Sequence, residues 1–210
     1  MVAGSVDGAD SKGNLRVMDN SMLVPEPQSE SRGEKLAALV DSVGFECKGV
    51  ACAAELVVLE AVRDMCAADK CNYYDKRWSC PPACGTLDYF REVFGHYGHV
   101  LVFQTMGQME DDFDFEGMVA SNTVHHERCL ALIDALCADD SLAQATFLLT
   151  AGACVICADC AYPQAPCKYP QRMRPSMEAA GLMVNDVCAA AGIPYYHGQG
   201  TITYTSCVLY

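Results

Sequence analysis

Positive charge is scarce in this 210-residue sequence. Fourteen Lys and Arg stand against 27 Asp and Glu, for a formal net charge of −13 and a pI near 4.6. Nucleic acid and anionic membrane surfaces are gripped through clustered Lys and Arg, so neither is expected as a partner. An apolar leader is also missing: the first thirty residues carry Asp7, Asp10, Lys12, Arg16 and Asp19 and no hydrophobic stretch of the secretory kind. The longest uncharged run, 141–158, contains Ser, Gln, Thr, Gly and two cysteines, which sets a transmembrane reading aside. There is no P-loop, no G-x-G-x-x-G after a strand and no nucleophile elbow. His-Gly-Gln-Gly at 197–200 is a turn, not a phosphate cradle. No internal repeat is visible.

Cysteine is what the sequence has in quantity, with 14 of them. Without a secretory leader the chain is expected in the cytoplasm. There thiols stay reduced, and clustered ones more readily bind metal than form disulfides. Isolated cysteines pack as small hydrophobes, and Cys129, Cys137, Cys188 and Cys207 read as buried thiols of that kind. The remaining groups do not.

Cys154, Cys157, Cys160 and Cys167 form C-x2-C-x2-C-x6-C. Three thiols at successive x2 spacings let one loop turn three sulfurs onto a single centre, as in ferredoxin-type iron–sulfur loops. The six-residue last gap leaves open that Cys167 ligates a different centre. Cys66, Cys71, Cys80 and Cys84 form a less diagnostic block, C-x4-C-x8-C-x3-C, stiffened by Pro81 and Pro82. Several thiolates on one centre repel unless a cation holds them. Four-cysteine sites take either zinc or an iron–sulfur cluster. Zinc sites favour two C-x2-C pairs on either side of a longer loop, so the second block points to a [4Fe–4S] cluster, with zinc as the alternative.

Cations gather near both blocks: Arg63, Lys70, Lys76, Arg77 and Arg91 beside the first, Lys168, Arg172 and Arg174 after the second. They are placed to offset an anionic cluster, or are ordinary solvated charge. Trp78, Tyr73, Tyr74, Tyr162 and Tyr169 either shield a cluster or fill the core. His96 and His99 read as surface or capping residues and His197 as part of the final turn; His125 and His126, adjacent in a helix, point to different faces. Ser176 and Glu178 look like the start of a helix, not a catalytic pair.

The hydrophobic share, 51%, supports a substantial core. Residues 1–32, rich in Ser, Gly, Pro and acid, read as a flexible tail, leaving a single domain over 33–210. Apolar spacing predicts helices over 33–43, 60–68 and 121–138. In the last of these Val124, Leu130, Ile133, Leu136 and Cys137 are expected to face inward. Thr86 and Gly95 bracket a further helix that starts just after Cys84. Ser176 and Asn185 are expected to cap two short ones. Strands are expected at 55–59, 99–106 and 145–150, with two more joined by a turn at 198–200. Such alternation makes an α/β or α+β domain: one mixed sheet flanked by helices, carrying two cysteine-rich metal-binding loops.

Four stretches together resemble a known family: C-A-A-D-K-C-N-Y-Y-D-K-R-W-S-C-P-P-A-C-G-T-L, A-G-A-C-V-I-C-A-D-C-A-Y-P-Q-A-P-C-K-Y-P, R-P-S-M-E-A-A-G-L-M-V and G-Q-G-T-I-T-Y-T-S. They are similar to the predicted metal-binding proteins of domain-of-unknown-function family 2284, over about residues 45 to 210. The resemblance implies cysteine-bound metal, iron–sulfur in character, in bacteria and archaea that are often anaerobic; it implies no particular reaction. Carried over motif by motif, it marks Cys66, Cys71 and Cys80, and Cys154, Cys157, Cys160 and Cys167. The fourth ligand of the first site stays open between Cys84, Cys47, Cys52 or another residue.

Four functions compete. The favoured one is a protein carrying one or two iron–sulfur clusters that exchanges electrons with a protein redox partner. The others are a structural zinc protein, an enzyme whose cluster has an open iron, and a metal carrier or sensor.

Overall fold

The computed structural model describes residues 27–111 and 113–210. The flexible-tail expectation for residues 1–26 falls outside them. Pro27–Ser42 is the first helix, α1, which therefore begins six residues earlier than its apolar spacing suggests. Leu36 and Val40 on α1 are fully buried, and Gly44 ends the helix region in the left-handed conformation, φ +94°. Then follow β1 (Cys47–Cys52), a short 3-10 turn at Ala53–Glu55, α2 (Glu60–Ala67) and α3 (Leu87–Phe94). The rest is β2 (His99–Gln108), α4 (Phe115–Ala138), α5 (Asp140–Ala143), β3 (Phe147–Leu149), α6 (Val184–Ala190) and β4 (Thr201–Leu209).

Of the two classes expected, the fold is α+β: a single four-stranded sheet in the order β1-β2-β4-β3. Every strand pair is antiparallel, so the sheet is not mixed; the one parallel contact described is an isolated bridge between Thr150 and Ser176. The sheet is buried on both faces, and for that reason its central strands read as nearly continuous apolar runs. Val100 and Val102 of β2, with Cys207 and Leu209 of β4, face a core shared with α3, α6 and residues 177–182. Leu101 and Phe103, with Val208, face a second core under α1, α4 and α5.

Several local expectations are corrected. Residues 55–59 do not form a strand; they leave the 3-10 turn extended, with a single bridge from Val58 to Leu182. The strand in that region is β1, whose Cys-Lys-Gly-Val-Ala-Cys carries few β-formers and is held by its full register against β2. The inward face of α4 matches the expected one at Ile133 and Leu136 but is otherwise shifted. His125, Cys129, Leu132, Ile133 and Leu136 are buried, whereas Val124 and Cys137 are exposed. A helix that can satisfy a buried imidazole is free to rotate its polar residue inward. The stretch after Ser176 is a turn, not a helix, although the Ser176 hydroxyl does accept the Ala179 N–H at 3.1 Å. Met183, not Asn185, is the N-cap of α6. The C-terminal stretch supplies one strand, not two: Tyr195 and Tyr196 are exposed outside the sheet, and His197 hydrogen-bonds Gln104 at 2.9 Å.

Both cysteine blocks are loops with clamped ends. The first runs from the last turn of α2 to the Thr86 cap of α3, whose hydroxyl accepts the Tyr89 N–H at 3.2 Å. The second leaves the sheet after β3 and returns where Thr150 N donates to Pro175 O and Met177 N donates to Thr150 O, each at 3.0 Å. Among the described residues, no helix is long and apolar enough to cross a membrane.

Candidate metal centre

In the first block, α2 delivers Cys66 in its last turn. The chain then turns through Asp69, Asn72 and Asp75, all at positive φ (49°, 63° and 54°). Asp and Asn tolerate that region because their short side chains bond the nearby backbone. Here Asp69 accepts the Tyr74 N–H at 2.8 Å and the Lys76 ammonium at 2.9 Å. Asp75 N donates to Pro81 O at 2.8 Å, and Cys84 N to Cys80 O at 3.1 Å, which sets the last two cysteines on one turn.

The four thiols of this block lie close enough to feel one another's charge. Burial pushes Cys80 up to about 11, with Cys71 and Cys66 adding to the rise. It does the same for Cys84, where Arg63 opposes the rise and Cys80 and Cys66 reinforce it. Cys66 is raised by burial and then by the Glu178 carboxylate, against Arg63. Cys84 therefore stands with Cys66 and Cys80. The other candidates for a fourth ligand do not: Cys47 pairs across the sheet with Gln104 and is felt by Cys188, and Cys52 lines a separate cleft with Arg91 and Tyr97.

In the second block, Cys154, Cys157, Cys160 and Cys167 all line one small cavity of about 20 Å³, with Arg77, Trp78, Ser79, Ile156, Tyr169 and Met173. Cys167 thus shares a space with the other three despite its longer gap. Burial raises the Cys154 thiol, and Cys167 and Cys157 raise it further. A roomier cleft of about 440 Å³ lies at the far end of β1 and contains no cysteine of either block. All fourteen cysteines are free thiols; Cys129, Cys188 and Cys207 are buried singly as expected, and Cys137 is not.

The two blocks are sewn together. Arg77 Nη1 donates to Cys154 O at 2.7 Å and Cys154 N donates to Ser79 Oγ at 3.0 Å. Trp78 Nε1 donates to Ala165 O at 3.1 Å, and the Tyr162 hydroxyl donates to Asp75 at 2.6 Å. Trp78 and Tyr162 meet edge to face with centroids 4.9 Å apart. These aromatics belong to the seam, not to either hydrophobic core.

The expected cation cluster divides in two. Lys76, Arg91 and Arg172 are paired with Asp69, Asp88 and Asp134. Arg77 and Arg63 are the ones turned to thiols. Arg63 keeps Nε and Nη2 buried without a hydrogen-bond partner, and Glu178 keeps Oε2 in the same condition. Unpartnered buried charge is costly; the Arg63 donors favour thiolate at Cys66 and Cys84, and the Glu178 carboxylate opposes it at Cys66. Seam residues Arg77 and Ser79 carry no motif of their own; their one sequence signal is that they sit just ahead of Cys80.

Among the described residues, no three His, Cys, Asp or Glu side chains are gathered closely enough to hold a single metal ion.

No curated protein and no solved structure matches the chain. The family model of a predicted metal-binding protein, domain of unknown function 2284, matches residues 50–210, taking in both cysteine blocks, and the chain belongs to that family.

Proposed function

We propose that the second cysteine block binds a [4Fe–4S] cluster and that the protein serves in electron transfer with a protein redox partner. The observation carrying this reading is the single cavity lined by Cys154, Cys157, Cys160 and Cys167. Their C-x2-C-x2-C spacing suits a cubane better than the paired C-x2-C spacing usual for zinc. When bound, such a cluster takes up and releases single electrons at a potential set by the charges and hydrogen bonds around it. Arg77 brings a guanidinium to the cavity wall, which Trp78 and Tyr169 also line. The cytoplasm is the compartment proposed, because fourteen unpaired thiols persist where glutathione keeps them reduced. The acidic surface argues against nucleic acid and anionic membrane as partners.

Anaerobic purification followed by iron, acid-labile sulfide and zinc analysis tests this. A brown protein with iron and sulfide in equal amounts is expected. A colourless protein holding stoichiometric zinc and no sulfide overturns it.

A further inference from the structure

We propose that the cleft at the far end of β1 binds a small carboxylic acid with an apolar tail, gripped at its carboxylate by Arg91. The cleft contains no cysteine of either block, and the site stands whether or not the second block holds iron and sulfide.

The cleft has the size of a small-molecule site. It holds about 440 Å³, against about 20 Å³ for each of the two cavities that Cys154 lines. Space of the smaller kind admits about one water, whereas ligand pockets run from about 300 to 1,000 Å³. One wall is the end of β1 with the 3-10 turn that follows; the other is the end of α3 with the loop leading into β2. The walls are tied at two points. Ala53 N donates to Gly98 O at 3.0 Å, and Arg91 Nη2 donates to Val58 O at 3.2 Å. A ligand therefore meets a site that is already formed.

The lining sets the ligand's chemistry. Ala53, Leu56, Val58 and Phe94 give it apolar walls continuous with the first core. Beside them stand one cation, Arg91, and one phenol, Tyr97. Arg91 is held in a fixed orientation, with Nη1 donating to Asp88 at 2.7 Å and Nη2 to Val58 O. A guanidinium carries about five N–H donors in a planar fork, and those left over have no acceptor among the described residues. That fork matches a carboxylate. Burial, and then Tyr89, raises the Tyr97 phenol, so it remains a donor at neutral pH.

The acids close by leave room for another. Asp88 holds Arg91 from the solvent side, and Glu55 is turned to the Cys52 N–H at 3.1 Å. With one cation in the cleft and a net charge of −13 on the chain, a singly charged carboxylate fits better than a dianionic phosphate, which the surrounding field repels more strongly. The apolar tail then replaces water along the four apolar side chains.

The test uses the full-length chain, purified anaerobically, with phenylacetate as the probe. Phenylacetamide keeps the tail and loses the charge; acetate keeps the charge and loses the tail. In titrations followed by amide NMR shifts, phenylacetate should move the signals of Ala53, Gly95 and Gly98, and both controls should bind about tenfold more weakly or worse. Arg91→Gln should bring phenylacetate down to the level of phenylacetamide, and Arg91→Lys should recover only part of the difference. Ala54→Trp, at an exposed position of the lining, should fill the cleft and abolish phenylacetate binding. Phenylacetamide binding as tightly as phenylacetate, or undiminished binding by Arg91→Gln, overturns the carboxylate site. Shifts confined to residues elsewhere, or no shifts, overturn the cleft as the binding place. The shift mapping and the comparison of probes are made on the unsubstituted protein and do not depend on a variant folding.

Discussion

The Ser79 hydroxyl accepts the Cys154 backbone N–H at 3.0 Å across 75 residues of chain, one of the hydrogen bonds that tie the two cysteine loops together. Ser79→Ala removes the acceptor and leaves a part-buried donor unpaired, a change worth about 1–3 kcal/mol. Chemical denaturation of the metal-free protein should register a loss in that range. Ser79→Thr keeps a hydroxyl and should recover part of it. Equal stability of all three would show that the seam contributes nothing to the fold.

Cys80 and Cys84 of the first block are held protonated at neutral pH, because burial pushes both up to about 11. Metal takes thiolate, so each ligand must shed a proton on binding. Loading should therefore release protons and strengthen as pH rises through neutrality. Isothermal titration in buffers of different ionisation enthalpy will count those protons. Binding that is independent of pH between 6 and 8 (roughly the window in which protonated thiols compete) would mean that these thiols are not ligands.

His125 is fully buried and neutral, with Nδ1 at 3.0 Å from the Thr105 hydroxyl and Nε2 at 2.8 Å from that of Ser206. Burial pushes its pKa down to about 3, and nearby His126 and Arg128 push it the same way. Cys129, the remaining polar neighbour, sits 3.5 Å from Nε2 as a neutral thiol. The unfolded chain takes up a proton near pH 6.5 that the folded chain refuses, so stability is lost as pH falls below that value. From pH 7 to 5 the loss is about 2 kcal/mol. His125→Asn should flatten this slope in unfolding curves measured at both pH values. An unchanged slope would assign the pH dependence to other groups.

Much of the site could be read from spacing alone, because metal ligands must come close together and a C-x2-C-x2-C run achieves that locally. The fold was legible where one periodicity dominates. β2 and α3 follow their apolar patterns to within two residues. The rest depends on contacts between distant residues that leave no local trace. β1 is a strand because β2 offers it a register, not because Cys-Lys-Gly-Val-Ala-Cys favours one. The inward face of α4 was obscured because its most buried residue is a histidine whose partners, Thr105 and Ser206, lie on β2 and β4. Arg77 is legible only as one cation among several, and Ser79 not at all, for the same reason: what they touch is nearly eighty residues away, and a hydrogen bond of that span has no sequence signature.

Gly49 gives a clean test of how β1 sits on the sheet. A Cβ added there would collide with the backbone carbonyl of Ala191 and come within 2.7 Å of the Ile193 side chain. The carbonyl follows α6 and cannot swing aside without moving that helix off the core. Gly49→Ala should destabilise the protein by about 1–3 kcal/mol through overpacking. This should appear as a lower denaturation midpoint with an unchanged slope. Full tolerance would mean that α6 is not seated on β1.

Single Cys→Ser changes separate ligands from bystanders. Cys157→Ser and Cys160→Ser remove sulfurs that line the second cavity and should lose most of the iron bound there, because serine oxygen is a poor match for a cluster built on thiolate. Cys167→Ser is the discriminating member of the set. The cavity places it with the other three, so its loss should strip the same iron as Cys157→Ser, with the same change in visible absorption. If it instead strips iron from the first block, the two loops exchange a ligand and each centre is built from both. Cys84→Ser asks the matching question of the first block, where Cys84 stands with Cys80 and Cys66 and neither Cys47 nor Cys52 does. Cys137→Ser, on an exposed and solitary thiol, should change nothing in either centre. Iron counts per chain across these variants, with sulfide measured in parallel, decide the ligand sets; a Cys137 variant that lost iron would mean that metal content here reports folding, not ligation.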